Sequence, residues 1–148
     1  MLFRSEKIDI AVHSMKDVAT QLPSRLIIPS LLPRDDPRDV LLCESATSIA
    51  DIPYGATLGT SSLRRSVQMK SLRPDLRLIG YRGNLDRRIS RLESGIVDAT
   101  LLAAAGLDRL AMALPYAHII PIEVMLPAVA QGAIGLQCRT NDTWVQEL

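Results

Sequence analysis

The sequence predicts an α/β fold, built on a mostly parallel sheet and spread over more than one domain. Three observations predict it. Short β-type runs alternate with helical patterns along the 148 residues, as they do where strands are joined by crossover helices. Two stretches unlike either pattern interrupt the alternation. Three strand-to-helix junctions each carry arginine, and in a parallel sheet such junctions lie on one edge.

The first strand is "IDIAV" (8–12), which ends abruptly in His13-Ser14-Met15-Lys16-Asp17. An acid beside a base just past a strand end is either a solvated turn or a piece of a reaction centre. "LLPRDDPRDV" (31–40) packs two prolines and five charges together and reads as a linker. "DVLLC" (39–43) and "ATLG" (56–59) are brief strands, and a helix runs from Ser62 to before Pro74. After "LRLIGY" (76–81) comes the clearest helix, Leu85 to Ser94. There Leu85, Ile89 and Leu92 share a face and Gly95 is the stop. "DATLLAA" (98–104) and "HIIPI" (118–122) are further strands, and "LPAVAQGAIG" (126–135) is a second connection. The chain closes in "TWVQEL", read as helix without a stop signal. If both connections are crossings, 1–32 is part of one domain, 33–38 a hinge, 39–126 a complete second domain, 127–132 a second hinge and 133–148 a truncated return. The chain is thus expected to be a piece of a larger protein.

Composition narrows the function classes. A hydrophobic fraction of 47% says globular, and 3% aromatics leave the core to Leu, Ile, Val and Ala. Lys and Arg number 17 against 16 acids, so the charge of +1 gives no general reason to expect nucleic acid. RNA binding through the arginines would also lack aromatic stacking partners. No apolar run approaches the roughly 18 residues of a membrane span, and no signal peptide is evident. Cys43 and Cys138 lack paired spacing and two histidines without a carboxylate cluster give no metal site. Both thiols read as buried and reduced in a cytoplasmic protein.

The junctions carry the functional signal. After Gly59 come Thr60-Ser61-Ser62 and then Arg64-Arg65 in the first turn of a helix. Hydroxyls there accept bonds from the first free N–H groups, which also attract anions. Cations there oppose the helix dipole at about 0.3–1 kcal/mol each. Two arginines so placed predict a negative ligand, against the alternative of a solvated surface pair. The arrangement recurs at Arg82-Gly83-Asn84, followed by Arg87, Arg88 and Arg91. Gly83 would let backbone approach a ligand, and Arg88 points about 100° from Arg87. At Leu107-Asp108-Arg109 a surface ion pair is an equal alternative. In parallel sheets ligands bind outside the carboxyl ends of strands, so a guanidinium-rich cleft for carboxylates is expected. No Walker or dinucleotide motif is present.

"DIAVHSMKDV", "DDPRDV", "GTSSLRR", "RGN" with Arg88, "AAAGLDRL" and "LPAVAQGAIGLQCR" occur in the order found in porphobilinogen deaminases, also called hydroxymethylbilane synthases. The chain resembles that family from Ile8 to Arg139. The resemblance implies two domains like type II periplasmic binding proteins, each a mostly parallel sheet with helices on both faces, and a third domain. It implies head-to-tail condensation of four porphobilinogen units into a linear tetrapyrrole, with loss of ammonia, for heme biosynthesis. It also implies a dipyrromethane cofactor tied to a third-domain cysteine. Asp17 matches the catalytic aspartate, which steadies a cationic azafulvene and helps move protons. Lys16 matches a contact to cofactor acid groups. Thr60, Ser62, Arg64, Arg65, Arg82, Gly83, Arg88 and Arg109 match cofactor and substrate binders, and Gln131 and Gly132 match the segment beside the crossing. Each pyrrole carries two carboxylates, the ligand that the arginines require. His13 reads as structural.

Ala130 replaces a usual glycine, which would matter if the backbone there has positive φ, and Ala19 replaces a common proline. The cofactor cysteine and the N-terminal binders of the family have no counterpart here. A truncated transferase, inactive alone, is therefore expected, and a freestanding carboxylate-binding module on the same fold is the alternative. Family members are usually monomeric, but exposed strand edges and apolar surface predict self-association of this chain.

Overall fold

A computed structural model describes residues 7–147. The chain forms two compact units, one made of the segments up to Pro37 and from Val129 onward, the other of Arg38–Ala128. The first holds β1 (Ala11–Ser14), β2 (Leu26–Leu31), β8 (Ile134–Arg139) and α4 (Thr143–Gln146). Its strands pair antiparallel in the order β1-β8-β2.

Here the structure differs from the sequence expectation. The first strand begins at Ala11, because its pairing partner on β8 runs from Ile134 to Gln137. Neither β2 nor β8 was expected as a strand. Pro29 within "LIIPSL" cannot donate to a ladder and reads as a breaker. The sheet accommodates it with a register shift between Ile27 and Ser30, the irregularity at which proline is tolerated. In β8, Gly135 hides the strand in a small-residue run. Its missing side chain leaves room for the Met15 sulfur, which a Cβ there would displace.

The second unit is α/β. β3 (Asp39–Leu42), β4 (Thr57–Gly59), β5 (Arg77–Ile79), β6 (Ala99–Ala103) and β7 (Ala117–Ile119) form one sheet in the order β5-β4-β6-β3-β7. The β5-β4-β6 half is parallel, and β3 runs antiparallel to both neighbours. Alternation along the strands sends side chains to two faces. Leu41, Leu58 and Leu101 pack with Met69 of α1 (Leu63–Leu72) on one face. Val40, Leu42 and Leu102 pack on the other with Ile89 and Leu92 of α2 (Leu85–Glu93) and Leu107 of α3 (Ala104–Arg109). Each such buried side chain contributes about 2 kcal/mol. The helices therefore cover both faces, as expected.

Local signals fix the helix ends. The Ser62 hydroxyl caps α1 by accepting from the Arg65 N–H at 3.4 Å, and α1 stops before Pro74. Asn84 caps α2 through the Arg87 N–H at 3.1 Å. Beyond α2, Gly95 takes φ +72°. Its N–H bonds the Leu92 carbonyl and the Ile96 N–H bonds that of Arg91, the paired closure that a left-handed residue permits. Among the described residues no helix is long and apolar enough to cross a membrane.

Candidate carboxylate-binding edge

Because β4, β5 and β6 are parallel neighbours, their C-terminal ends at Gly59, Ile79 and Ala103 share one sheet edge. α1, α2 and α3 start from that edge. β3 is antiparallel to β6, with Asp39 opposite Ala103. The first residue of β3 therefore arrives where the other three strands finish, and it is an acid.

Asp39 organises the first junction. Its side chain is fully buried. Oδ1 accepts from Nη2 of Arg65 at 2.7 Å and Nε at 3.2 Å, and Oδ2 accepts from Nη1 of Arg64 at 2.7 Å. Arg65 also donates through Nη1 to the Leu101 carbonyl at 2.8 Å. This corrects the alternative of a solvated surface pair, and it adds to the expected negative ligand an internal counter-charge, one carboxylate shared by two guanidinium groups. Burial pushes the Arg65 guanidinium down, Asp39 opposes that shift, and the nearby Arg64 and Arg88 charges reinforce it. Arg64 and Arg65 therefore share one buried acid.

The hydroxyls hold the junction together. Thr60 is buried, its N–H bonds the Ile79 carbonyl at 3.0 Å, and its Oγ1 accepts from the Ser62 N–H at 3.2 Å. Ser61 Oγ accepts from the Tyr81 N–H at 2.8 Å. Gly59 makes room for that tyrosine, since a Cβ would lie 2.6 Å from the ring. Tyr81 in turn donates to the Arg88 carbonyl, and Arg91 covers its ring at 4.6 Å.

The second junction is open. Arg82 and Gly83 are exposed, and Arg88 is half-buried with its Nε donating to the Gly83 carbonyl at 2.9 Å. Gly83 has φ +137°, a conformation that itself calls for glycine. Arg109 is exposed but closes α3 rather than opening it. It lies about 9 Å along the helix from the strand end.

In the other unit, Lys16 and Asp17 lie exposed on a 3₁₀ turn, Met15–Asp17, that follows β1 directly. The Met15 N–H anchors the turn to the Ala133 carbonyl at 3.0 Å. His13 has a structural place, 3.1 Å from the Gln137 side-chain oxygen across the β1–β8 pair. Gln131 is buried, donates to the Pro37 carbonyl at 2.6 Å, and accepts from Arg34 Nε at 2.9 Å through its own carbonyl. Gly132 has φ +90°, and a Cβ there would lie 2.5 Å from the Asp35 carbonyl. These bonds stitch the two connecting segments to each other. Ala130 adopts φ +56°, so the positive φ on which its departure from glycine turned is present, and it is costly for a residue with a Cβ.

Sequence reasoning missed Asp39, which it left among the linker charges. The available signal was an acid opening a fully apolar run, "DVLL". Missed too was Gln68, whose side chain accepts from the Leu126 N–H at 2.7 Å and donates to its carbonyl at 3.1 Å.

The family model described as "Porphobilinogen deaminase, dipyromethane cofactor binding domain" matches residues 1–147. The chain belongs to the porphobilinogen deaminase family. It is 51% identical over 136 residues to the chloroplastic porphobilinogen deaminase of Oryza sativa subsp. japonica, covering 92% of this chain and 38% of the relative. To the porphobilinogen deaminase of Syntrophotalea carbinolica it is 48% identical over 141 residues, covering 95% and 45%. The chain thus spans less than half the length of these relatives. Among solved structures, the second substrate-binding domain of a putative amino acid ABC transporter from Streptococcus pneumoniae matches with a TM-score of 0.59 at 13% identity. That match covers 99% of this chain and 65% of the other. The binding protein ytmK of Bacillus subtilis matches at 0.56 and 15% identity, covering 99% and 63%. These likenesses establish the type II periplasmic-binding-protein fold.

The family's cofactor is a dipyrromethane, and its acidic side chains fit a cationic sheet edge. A covalent tie does not fit. Cys43 is wholly enclosed in the core and Cys138 lies buried in β8, its thiol pushed up by that burial. Among the described residues no group of His, Cys, Asp and Glu could hold a metal ion.

Proposed function

We propose that this chain is the part of a hydroxymethylbilane synthase that grips the carboxylates of porphobilinogen and of the polypyrrole grown from it. The full reaction condenses four porphobilinogen units head to tail and releases ammonia, within tetrapyrrole biosynthesis. The observation that carries this reading is the placing of Arg64 just past the end of β4, and of Arg82 with the Gly83-bonded Arg88 just past the end of β5, in a chain whose family match spans residues 1–147. Arg82, with its exposed side chain, adds a donor at the neighbouring junction. Thr60, Ser62 and Gly83 shape the edge, Arg109 and Lys16 supply further cationic contacts, and Gln131 with Gly132 fixes the return crossing. Asp17 is the proposed catalytic group. Its carboxylate accepts pyrrole N–H bonds, stabilises positive charge left by departing ammonia, and takes up or returns protons. A dipyrromethane would supply the pyrrole carbon from which the chain grows.

The segments 33–38 and 127–132 are the proposed hinges. The chain alone binds but does not turn over, since both its thiols are enclosed. Its compartment in this reading is the cytoplasm, where Cys43 and Cys138 remain free thiols; neither nucleic acid nor membrane is a partner.

Calorimetric titration with porphobilinogen tests the reading. Binding is expected, and Arg64→Gln and Arg82→Ala should each weaken it by roughly 10-fold or more, the worth of a charge-assisted hydrogen bond. Absence of binding, or binding indifferent to both arginines, overturns the reading. Tighter binding of phosphate or succinate than of porphobilinogen would favour a freestanding anion-binding module, to which the fold is equally suited.

A further inference from the structure

We propose that Asp39 is a positioning residue that gives the two adjacent arginines different tasks, with Arg65 a fixed strut and Arg64 the carboxylate-binding fork. The proposal rests on the carboxylate-binding reading above and assigns its chemistry to particular nitrogen atoms.

The donors of the two side chains are disposed very differently. All three nitrogens of Arg65 are engaged, Nε and Nη2 by Asp39 and Nη1 by the Leu101 carbonyl. Its side chain is 8% exposed. Arg64 is held through Nη1 alone, by Asp39 Oδ2 and the Leu126 carbonyl. Its Nε and Nη2 meet no acceptor among the described residues, and its side chain is 24% exposed. Nε and Nη2 form one edge of the guanidinium plane, the geometry that takes a carboxylate through two parallel bonds.

Asp39 creates that edge. By holding Nη1 it fixes the guanidinium plane before a ligand arrives, which lowers the ordering cost of binding. By engaging Arg65 it also keeps the more buried cation from competing for the ligand. The Leu126 carbonyl does not depend on Arg64 for its position, since the Gln68 side chain holds both polar groups of Leu126. The fork is thus braced on one side by a buried acid and on the other by a pinned backbone carbonyl.

Nuclear magnetic resonance of the arginine Nε–H groups tests this in the unaltered chain, with acetate as first probe and porphobilinogen as second. The Arg65 Nε–H should be protected from exchange and unmoved by acetate, while the Arg64 Nε–H shifts. Movement of both signals, or of Arg65 alone, overturns the proposal, as does no response of Arg64 to acetate. These outcomes do not depend on porphobilinogen, whose failure to bind would instead refute the substrate reading. In Asp39→Asn, checked for folding by the same spectra, acetate and porphobilinogen should both bind Arg64 at least 10-fold more weakly, and the Arg65 Nε–H should lose its protection from exchange. Acetate binding at Arg64 left unchanged in that folded variant would show that Asp39 does not set the fork and would overturn the assignment.

Discussion

The β4–α1 and β5–α2 junctions carry the same sequence pattern and resolve it in opposite ways. Each runs from a strand of the parallel half-sheet through a polar N-cap into arginines near the helix start. At α1 no acid lies in the first turn, and Asp39 reaches in from β3 to bond both Arg64 and Arg65. At α2 Asp86 lies in the first turn, while Arg82 and Arg87 face outward. The difference follows from which helix face is buried. Arg65 lies four residues before the buried Met69 and shares its side of α1, whereas the buried face of α2 is taken by Ile89 and Leu92. Charge at a helix start therefore does not by itself indicate a ligand; the burial of its face decides.

The largest expected contrast between the junctions is in stability. Asp39→Ala leaves the Arg65 charge buried without its partner and should cost about 3–5 kcal/mol in urea unfolding. Arg82→Ala should change stability by less than about 0.5 kcal/mol. Equal losses would erase the distinction.

Next comes the contact that joins them. Gly59→Ala drives a Cβ into the fully buried Tyr81 ring and should cost about 1–3 kcal/mol. Near-neutral thermal unfolding of that variant would mean the two junctions are not packed together.

The caps should behave alike, whatever the burial of the helices they open. Ser62→Ala and Asn84→Ala are each expected to cost about 1 kcal/mol, read as a fall in melting temperature. A much larger loss at Ser62 would show that its hydroxyl supports the Asp39 cluster as well as the helix.

The smallest effect sharpens the contrast between Asp39 and a less enclosed acid. Arg73, followed by the Gly55 N–H, holds Asp75 well below the usual carboxylate range. A depressed value in the folded state stabilises above the unfolded value of about 3.9 and loses that contribution as pH falls toward the folded one. The melting-temperature gap between wild type and Asp75→Asn should hold constant above about pH 5 and close below it. A gap that widens in acid would reverse the sign.

Much of this was legible in residue patterns. The period of Leu85, Ile89 and Leu92, the Gly95 stop and the hydroxyl cap at Ser62 are local signals, and each has its expected place. What escaped was non-local. β2 and β8 exist because they pair with strands and segments more than 100 residues away, and Pro29 and Gly135 mask them in one dimension. Asp39 becomes a counter-ion only because β3 turns antiparallel to β6, which no spacing records. The motif residues located the edge of the sheet, but they did not separate Arg64 from Arg65.

The central claim is that the cation opening α1 is balanced from inside the protein, by Asp39. A double-mutant cycle with Asp39→Asn and Arg65→Met measures that coupling directly. The account predicts strong non-additivity, with Arg65→Met recovering at least about 1 kcal/mol of the stability that Asp39→Asn loses. Losses that add to within about 0.3–0.5 kcal/mol would contradict it.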